Sequence, residues 1–455
     1  MSISVCWFRK DLRLSDNPAW KSACNEGEVI PIFVIEPLLM AASSQRKRDL
    51  LLANLMSLQA ELESIGGYLL TINGPAKEVL PDLLKRWKVN ALHFNNDHSP
   101  ASKKRDEDIC NQVDIRIERH WGNLLHAPGT VIAGSGAVHK VFTPFFKKWS
   151  TINVIPPFER PTASFYPQPQ GQDPLAEIVE TPSSPIGNRG AHQRLEAFLN
   201  KISEYEIHRD FPGINGTSLL SSALHFGTIG PREILDYTNL RAEESQAFVR
   251  QLAWRDWYAH LMDSSPSIVN SPANPVYENI QWRNDSNDFN LWVQGRTGYP
   301  IVDAGMRELE ETGLMHNRVR MICGSFLVKH LLIDWRWGEK YFRHMLLDGD
   351  TSQNVGNWQW VAGTGFDAAP YFRIFNPIRQ SEKFDKDGKY IRKWLPQLSG
   401  LSSKEIHCPW ISTPETLIQK RVELGKDYPY PIVDHAFARE RCLEVYKTAR
   451  TIGNQ

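Results

Sequence analysis

The sequence has no excess of either charge: 52 Lys and Arg stand against 52 Asp and Glu in 455 residues. A uniformly basic or acidic surface is excluded, so any nucleic-acid-binding face must be a local patch. Cysteine is scarce, with six residues (Cys6, Cys24, Cys110, Cys323, Cys408, Cys442) and no C-x-x-C spacing. That pattern signals neither a disulfide framework nor a zinc or other metal site, and it suits a reducing cytoplasm. No uninterrupted run of 18 apolar residues occurs, and the opening MSISVCWFRKDLR lacks the pattern of a signal peptide. A membrane span is therefore not expected. Nor does a G-x-G-x-x-G or a P-loop follow any strand-like run, which leaves an ordinary dinucleotide or ATP site unsupported. A cytoplasmic protein of more than one domain is the expectation.

What the chain does have begins with alternation. Ile3–Phe8 and Val29–Ile35 are apolar, β-rich runs. Asp16-Asn17-Pro18 between them is a helix start, with a capping side chain and an early proline. Leu51, Leu55, Leu58, Leu62 and Ile65 recur at helical spacing, and Gly66-Gly67 ends that helix. Further strands are expected at Tyr68–Ile72, Ala91–Phe94 and Asp114–Glu118, with a helix at Pro75–Trp87. Alternating strands and helices predict an α/β domain with a doubly wound, mostly parallel sheet. Residues 156–185 then carry eight prolines among Ser, Gln, Gly and Thr. This density resists helix and ladder pairing and predicts an extended connector.

From Gly190 onward the pattern is helical. Arg194–Ile202, Phe248–Met262, Met315–Lys329 and Ala436–Thr451 are expected helices, and the stripe of the third is expected to run on through Leu331 to Trp335. Asn215-Gly216-Thr217-Ser218-Leu219-Leu220-Ser221 is a glycine turn with hydroxyls at a helix start. Such a turn either caps the helix or cradles phosphate. Gln251, Trp254 or Arg255, and Tyr258 share one helical face, as do Asn317, Arg320 and Met321, where a buried stripe would be aliphatic. Arg379–Trp394 interleaves basic and aromatic residues, the composition of a nucleic-acid face or a solvated surface.

The densest stretch is Asp348–Pro377. Asp348, Asp350, Asn354, Trp358 and Trp360 fall close together, followed by Gly363, Thr364, Gly365, Asp367 and Pro370-Tyr371-Phe372-Arg373. No amphipathic helix needs this composition. Tryptophan faces, directional polar groups and glycines that let backbone approach are what a large, flat, polar-edged ligand requires. A Trp-rich core loop is the plainer reading.

In order along nearly the whole chain, WFRKDLRLSDNPA, RDFPGINGTSLLSSALHFG, QLAWRDWYAHL, GYPIVDAGMRELEETGLMHNRVRMI, DWRWGEKYF and the stretch from Asp348 to Pro377 resemble the photolyase/cryptochrome family. Within it the chain looks like the DNA photolyases of the cyclobutane pyrimidine dimer class. The resemblance implies an α/β antenna domain (1–130), a linker (131–195) and an all-α catalytic domain (196–455) holding FAD. It places Thr217, Ser218, Leu219, Leu220 and Ser221 at the FAD phosphates, with Tyr205 and Arg255 helping. Arg320, Asp348 and Asp350 fall around the flavin, and Asn354 at its N5 edge. Trp358, Trp335 and Trp282 match the chain that photoreduces FAD from the surface. Trp254 and Trp360 match the rings that sandwich a flipped-out dimer, the strategy by which repair enzymes reach a base. Gln251, Asn317 and Met321 match dimer contacts, and Arg318 and Arg373 match groups that grip the DNA backbone. The implied enzyme is a carbon–carbon lyase, a monomer acting on ultraviolet-damaged DNA, with no metal.

Two positions depart from that pattern. Gln251 stands where the dimer class typically has Glu, and Gln there is similar to the (6-4) photolyases. Ala101-Ser102 stands near the Asn-Glu pair that some members use for folate. The resemblance leaves open a second antenna chromophore (folate, deazaflavin or flavin) or none. A cryptochrome photoreceptor is the alternative, and Asn354 weighs against it because plant cryptochromes typically carry Asp there.

Overall fold

A computed structural model describes residues 2–239 and 242–453. The chain divides into two compact units. The first comprises Met1–Ser203, Ser218–Pro266 and Leu347–Gln353; the second comprises Glu204–Thr217, Ser267–Leu346 and Asn354–Gln455.

The first unit is built on a parallel sheet of β1 (Ile3–Phe8), β2 (Glu28–Ile35), β3 (Leu70–Asn73), β4 (Ala91–Asn95) and β5 (Arg116–His120), in spatial order β3-β2-β1-β4-β5. Strands buried on both faces read as continuous apolar runs, which is why the sequence located them. The fifth lies two residues beyond its expected position, and its charged RIERH pattern explains the slip. One face packs Val5, Trp7, Ile32, Leu80, Leu92 and Phe94 into a common core. The order of connection reverses between β1 and β4, the topological switch where open α/β sheets form a crevice. The proline-rich stretch is not free of pairing. Ser164–Phe165 adds a short strand, β6, parallel to β2 at Glu28 and Val29, so a two-residue ladder survives between the prolines.

The second unit is helical. Its C-terminal helix, His435–Gly453, packs Cys442, Tyr446 and Ala449 against Ile280 and Leu332. The expected Met315–Lys329 helix is shorter and broken. His316 caps a helix at Asn317–Ser325, which then widens into a π turn over Phe326–His330, closed by Leu331 N–H donating to the Phe326 carbonyl at 3.1 Å. Trp335 does not continue that stripe. It opens a new helix, Trp335–Met345, capped by Asp334.

The largest correction concerns the Trp-rich stretch, which the composition placed in a loop. Thr351–Ala362 is an α-helix. Asp350 caps it through Oδ1, which accepts from Ser352 N–H at 3.0 Å and Gln353 N–H at 3.2 Å. An Asp before a Thr-Ser start is a capping signal. The lack of an aliphatic stripe hid it.

Candidate functional site

In the first unit a cleft of about 430 Å³ lies beyond the carboxyl ends of β1 and β4, lined by Lys10, Asp97, His98, His225, Arg255 and Asp350 among others. Lys10 Nζ sits 3.0 Å from Asp97 Oδ2 and 3.5 Å from Asp350 Oδ2. Burial alone would raise the Asp350 carboxyl, but Lys10 and His98 outweigh it and hold the group well below the usual carboxylate range. Lys10 and His98 thus favour the carboxylate form of Asp350. Arg255 is pinned through its guanidinium to the carbonyls of Asn123 and Leu224, the latter at 3.2 Å, and Gln353 Nε2 bonds the Arg255 carbonyl at 2.8 Å. The sequence singled out Asp350 and Arg255 but not Lys10 and Asp97, which follow β1 and β4, or His225, which lies within the Ser221–Phe226 helix.

The Ser218–Ser221 turn belongs to this unit. Leu219 has φ +54°, a left-handed conformation that a branched side chain adopts only under constraint. The helix that follows, Ser221–Phe226, has no side-chain cap at its start. His225 Nδ1 is buried with no hydrogen-bond partner among the described residues. An uncapped turn of backbone N–H groups, a pinned arginine and an orphaned imidazole nitrogen fit the phosphate-bearing end of a dinucleotide.

Gln251, Trp254 and Arg255 ride on one helix, Ala242–Ser264. The Trp254 indole lies flat on Phe142, with centroids 3.7 Å apart and planes 8° apart. Phe142 is itself buried, and the Arg250 guanidinium caps it at 5.1 Å. Two residues on, Asp256 accepts from Leu125 N–H, His126 N–H and Trp149 Nε1–H at 3.3, 3.0 and 2.9 Å. Burial pushes its carboxyl up to about 6 against those donors. Phe142 therefore fixes the plane of Trp254, and Asp256 ties the helix that carries it to Leu125, His126 and Trp149. Neither was found from sequence, although FTPFFKKW is an aromatic helix at 142–149 that could have signalled a stacking partner. Gln251 Nε2 donates to its own helix, at the Ala247 carbonyl, over 3.1 Å.

In the second unit Asn354 and Trp358 share the Thr351–Ala362 helix, and the Trp335–Met345 helix supplies their partners. Asn354 Nδ2 donates to the Glu339 carbonyl at 2.8 Å and to Glu339 Oε1 at 3.0 Å. Both amide hydrogens are thereby spent, and the amide oxygen is the atom left to meet a ligand. Burial raises the Glu339 carboxyl, opposed by Arg343 and by Asn354. Trp358 presses on Gly338, where an added Cβ would lie 2.2 Å from Cη2. Its ring meets Phe342 at 5.0 Å and Trp292 at 6.3 Å. Trp282 meets Tyr446 edge-on at 6.2 Å, and Trp335 carries the Arg336 guanidinium at 4.9 Å. No direct ring contact among the described residues joins Trp282, Trp335 and Trp358.

Arg318 pairs with Asp210 at 2.9 Å and lies over Phe384 at 4.3 Å. Arg320 Nε donates to the Met315 carbonyl at 2.8 Å, and Asn317 Nδ2 lies 3.8 Å from Met321 Sδ. Tyr205 is buried under Arg209, at 5.4 Å. Trp360 is half-buried and Arg373 is exposed. Trp360 is steadied by its neighbour Gln359, whose Nε2 bonds the carbonyls of Ile268 and Ser271 at 2.7 and 3.0 Å. Thr217 lies in this unit, and Asp348 in the first. Among the described residues no cluster of His, Cys, Asp and Glu could hold a metal, and no helix is long and apolar enough to cross a membrane.

Residues 4–162 match the family model described as DNA photolyase, and residues 248–448 match the FAD binding domain of DNA photolyase. A deoxyribodipyrimidine photo-lyase of Agrobacterium fabrum is 38% identical over 98% of both chains. A cryptochrome structure from Synechocystis superposes with a TM-score of 0.91 at 28% identity, covering 98% of this chain and 99% of the other. An archaeal photolyase from Sulfolobus tokodaii, solved with two FAD molecules, superposes at 0.85 with 34% identity, covering 98% of this chain and all of the other. The chain belongs to the DNA photolyase family of FAD-binding flavoproteins, within the photolyase/cryptochrome fold.

Proposed function

We propose that the chain repairs cyclobutane pyrimidine dimers in DNA. The reading is carried by Trp254, an indole held flat on Phe142 at 3.7 Å beside Gln251. An enzyme that extracts a base needs a rigid aromatic platform to replace the stacking it removes. FAD, when bound, supplies the absorption of blue light and the electron that opens the dimer. Tyr205, Thr217, Ser218, Leu219, Leu220, Ser221 and Arg255 hold its phosphates in this reading, and Arg320, Asp348 and Asp350 orient its ring. Asn354 offers an oxygen acceptor at a fixed height, since Glu339 takes both its hydrogens. Trp254 and Trp360 sandwich the lesion, with Gln251, Asn317 and Met321 at its edges. Arg318 and Arg373 take the flanking phosphates, and Asp210 and Phe384 keep Arg318 extended. Trp282, Trp335 and Trp358 supply electrons from the surface inward. The domain boundaries at residues 130 and 195, a monomeric state, a cytoplasmic location and a second antenna chromophore belong to the same proposal.

The test is illumination of purified holoprotein with ultraviolet-irradiated oligo(dT). Blue light is expected to restore monomeric thymine, and unchanged dimers under full illumination would refute the reading. Gln251 favours a second lesion, so a (6-4) photoproduct belongs in the same assay. The similarity to the Synechocystis cryptochrome favours a photoreceptor, for which flavin would be photoreduced but neither lesion repaired.

A further inference from the structure

Trp358 is the innermost ring of the proposed electron chain, yet the tryptophan packed against it is one that the chain does not include. Trp292 is fully buried, 6.3 Å from Trp358 and inclined at 70°. Phe342 fills the corner between them, stacked on Trp292 at 5.7 Å and against Trp358 at 5.0 Å. On its far side Trp292 meets the half-buried Tyr341 edge-on at 5.8 Å. We infer that Trp292 and Tyr341 form a second route by which electrons reach Trp358 from the surface. The inference rests on the reading of Trp358 as the residue that reduces bound flavin.

Each end of the route has the chemistry it needs. Trp292 Nε1–H donates to the Cys323 carbonyl at 3.1 Å. A carbonyl accepts a hydrogen bond but is no base, so an oxidised Trp292 cannot shed its proton and the positive charge stays free to move outward. Tyr341 is close enough to solvent to lose a proton when oxidised. Burial raises its phenol to about 12, so it is protonated at neutral pH until an electron leaves. Charge also favours this route. Arg336 lies 4.9 Å over Trp335, and Lys329 lies 3.7 Å over Tyr446, the ring next to Trp282. A cation over a ring opposes its oxidation. Among the described residues no cation lies over Trp292 or Tyr341.

The steps balance. Trp358 gives one electron to photoexcited oxidised flavin. Trp292 gives one to Trp358, and Tyr341 gives one to Trp292. Tyr341 releases its hydroxyl proton to water and becomes a neutral radical. A thiol in the medium returns one electron and one proton to it.

Transient absorption and electron paramagnetic resonance on flavin-loaded protein test the route. Trp335→Phe is expected to keep photoreduction within about tenfold of the parent rate, a barrier change of about 1.4 kcal/mol. It should also show a tyrosyl signal that narrows when the protein is made with ring-deuterated tyrosine. Tyr341→Phe, which removes only one hydroxyl from a half-buried ring, should abolish that signal in the Trp335→Phe background. The double variant Trp335→Phe/Trp292→Phe should fall to the level of Trp358→Phe. Bound-flavin content, measured for each variant, reports folding. If Trp335→Phe alone falls to the Trp358→Phe level, or no tyrosyl signal appears, the second route is refuted. If Trp358→Phe photoreduces as fast as the parent, the underlying reading fails as well, and the two failures are told apart.

Discussion

Replacing Asn354 by aspartate turns a donor into an acceptor against a buried carboxylate. The amide nitrogen now sits 3.0 Å from Glu339 Oε1. With both groups charged at that distance, and an effective dielectric constant of about 20, the repulsion is about 5 kcal/mol. Taking up a proton is the cheaper course. Keeping a carboxyl with an unfolded pKa of about 4 protonated at pH 7 costs about 4 kcal/mol, at 1.36 kcal/mol per unit. Glu339 is already raised by burial, so the pair binds one proton in the folded protein. A carboxyl whose folded pKa is raised contributes stability that is complete below the unfolded value and lost as pH rises through the folded one. The loss relative to the parent should therefore be about 1 kcal/mol near pH 4.5, the worth of one hydrogen bond. It should grow by up to about 4 kcal/mol by pH 7.5, at the slope set by one proton. Urea unfolding of both proteins at pH 5 and pH 8 measures it. A difference that is the same at both pH values, with unchanged m-values, would refute the assignment of both amide hydrogens to Glu339.

Gln251→Glu is expected to leave dimer repair intact or raise it, because a charged acceptor strengthens a hydrogen bond to the lesion; a large loss of repair would point to another substrate. Gly338→Ala places a Cβ 2.2 Å from Trp358 Cη2 and 2.6 Å from Leu327 Cδ2, and should lower stability by about 1–3 kcal/mol; unchanged thermal unfolding would show that the two helices part more easily than the packing implies. Lys329 Nζ is buried, bonded to the Ala362 carbonyl at 2.7 Å, and burial pushes it from 10.5 down to about 8. Its stability contribution is complete above the unfolded value and lost as pH falls through about 8, so Lys329→Met should gain on the parent by about 2 kcal/mol between pH 10 and pH 7. A pH-independent difference would exclude that shift.

The sheet was legible because strands buried on both faces carry their signal in consecutive residues. Val29–Ile35 needs no partner to be recognised. The Thr351–Ala362 helix was not legible, because Asn354, Trp358 and Gln359 are buried by specific contacts rather than by an apolar stripe. Periodicity detects only the second kind of burial. The same limit applied to the site. Residue types singled out Trp254, Asn354 and Trp358. Their supports, Phe142, Glu339 and Gly338, come from distant stretches of chain with no local mark of the role.

Those supports share a logic. Each constrains one degree of freedom of a residue that must be held still. Phe142 sets the plane of Trp254, and Glu339 sets which atom Asn354 presents. The absence of a Cβ at Gly338 sets how near Trp358 can lie to its neighbours. A flexible indole would lose rotamer entropy on each encounter with a ligand. An indole already stacked has lost it during folding. The same reasoning separates Gln251 from the rest. Its amide donates to Ala247, one turn back on the same helix, a bond that an ionised glutamate could not make. Glutamine at this position has a resting place that glutamate lacks. A glutamine amide also carries a second hydrogen and an oxygen acceptor, so in the proposed reading contact with a lesion does not require that bond to break, and the residue that departs from the dimer-class pattern can be held by its own helix while it meets a ligand.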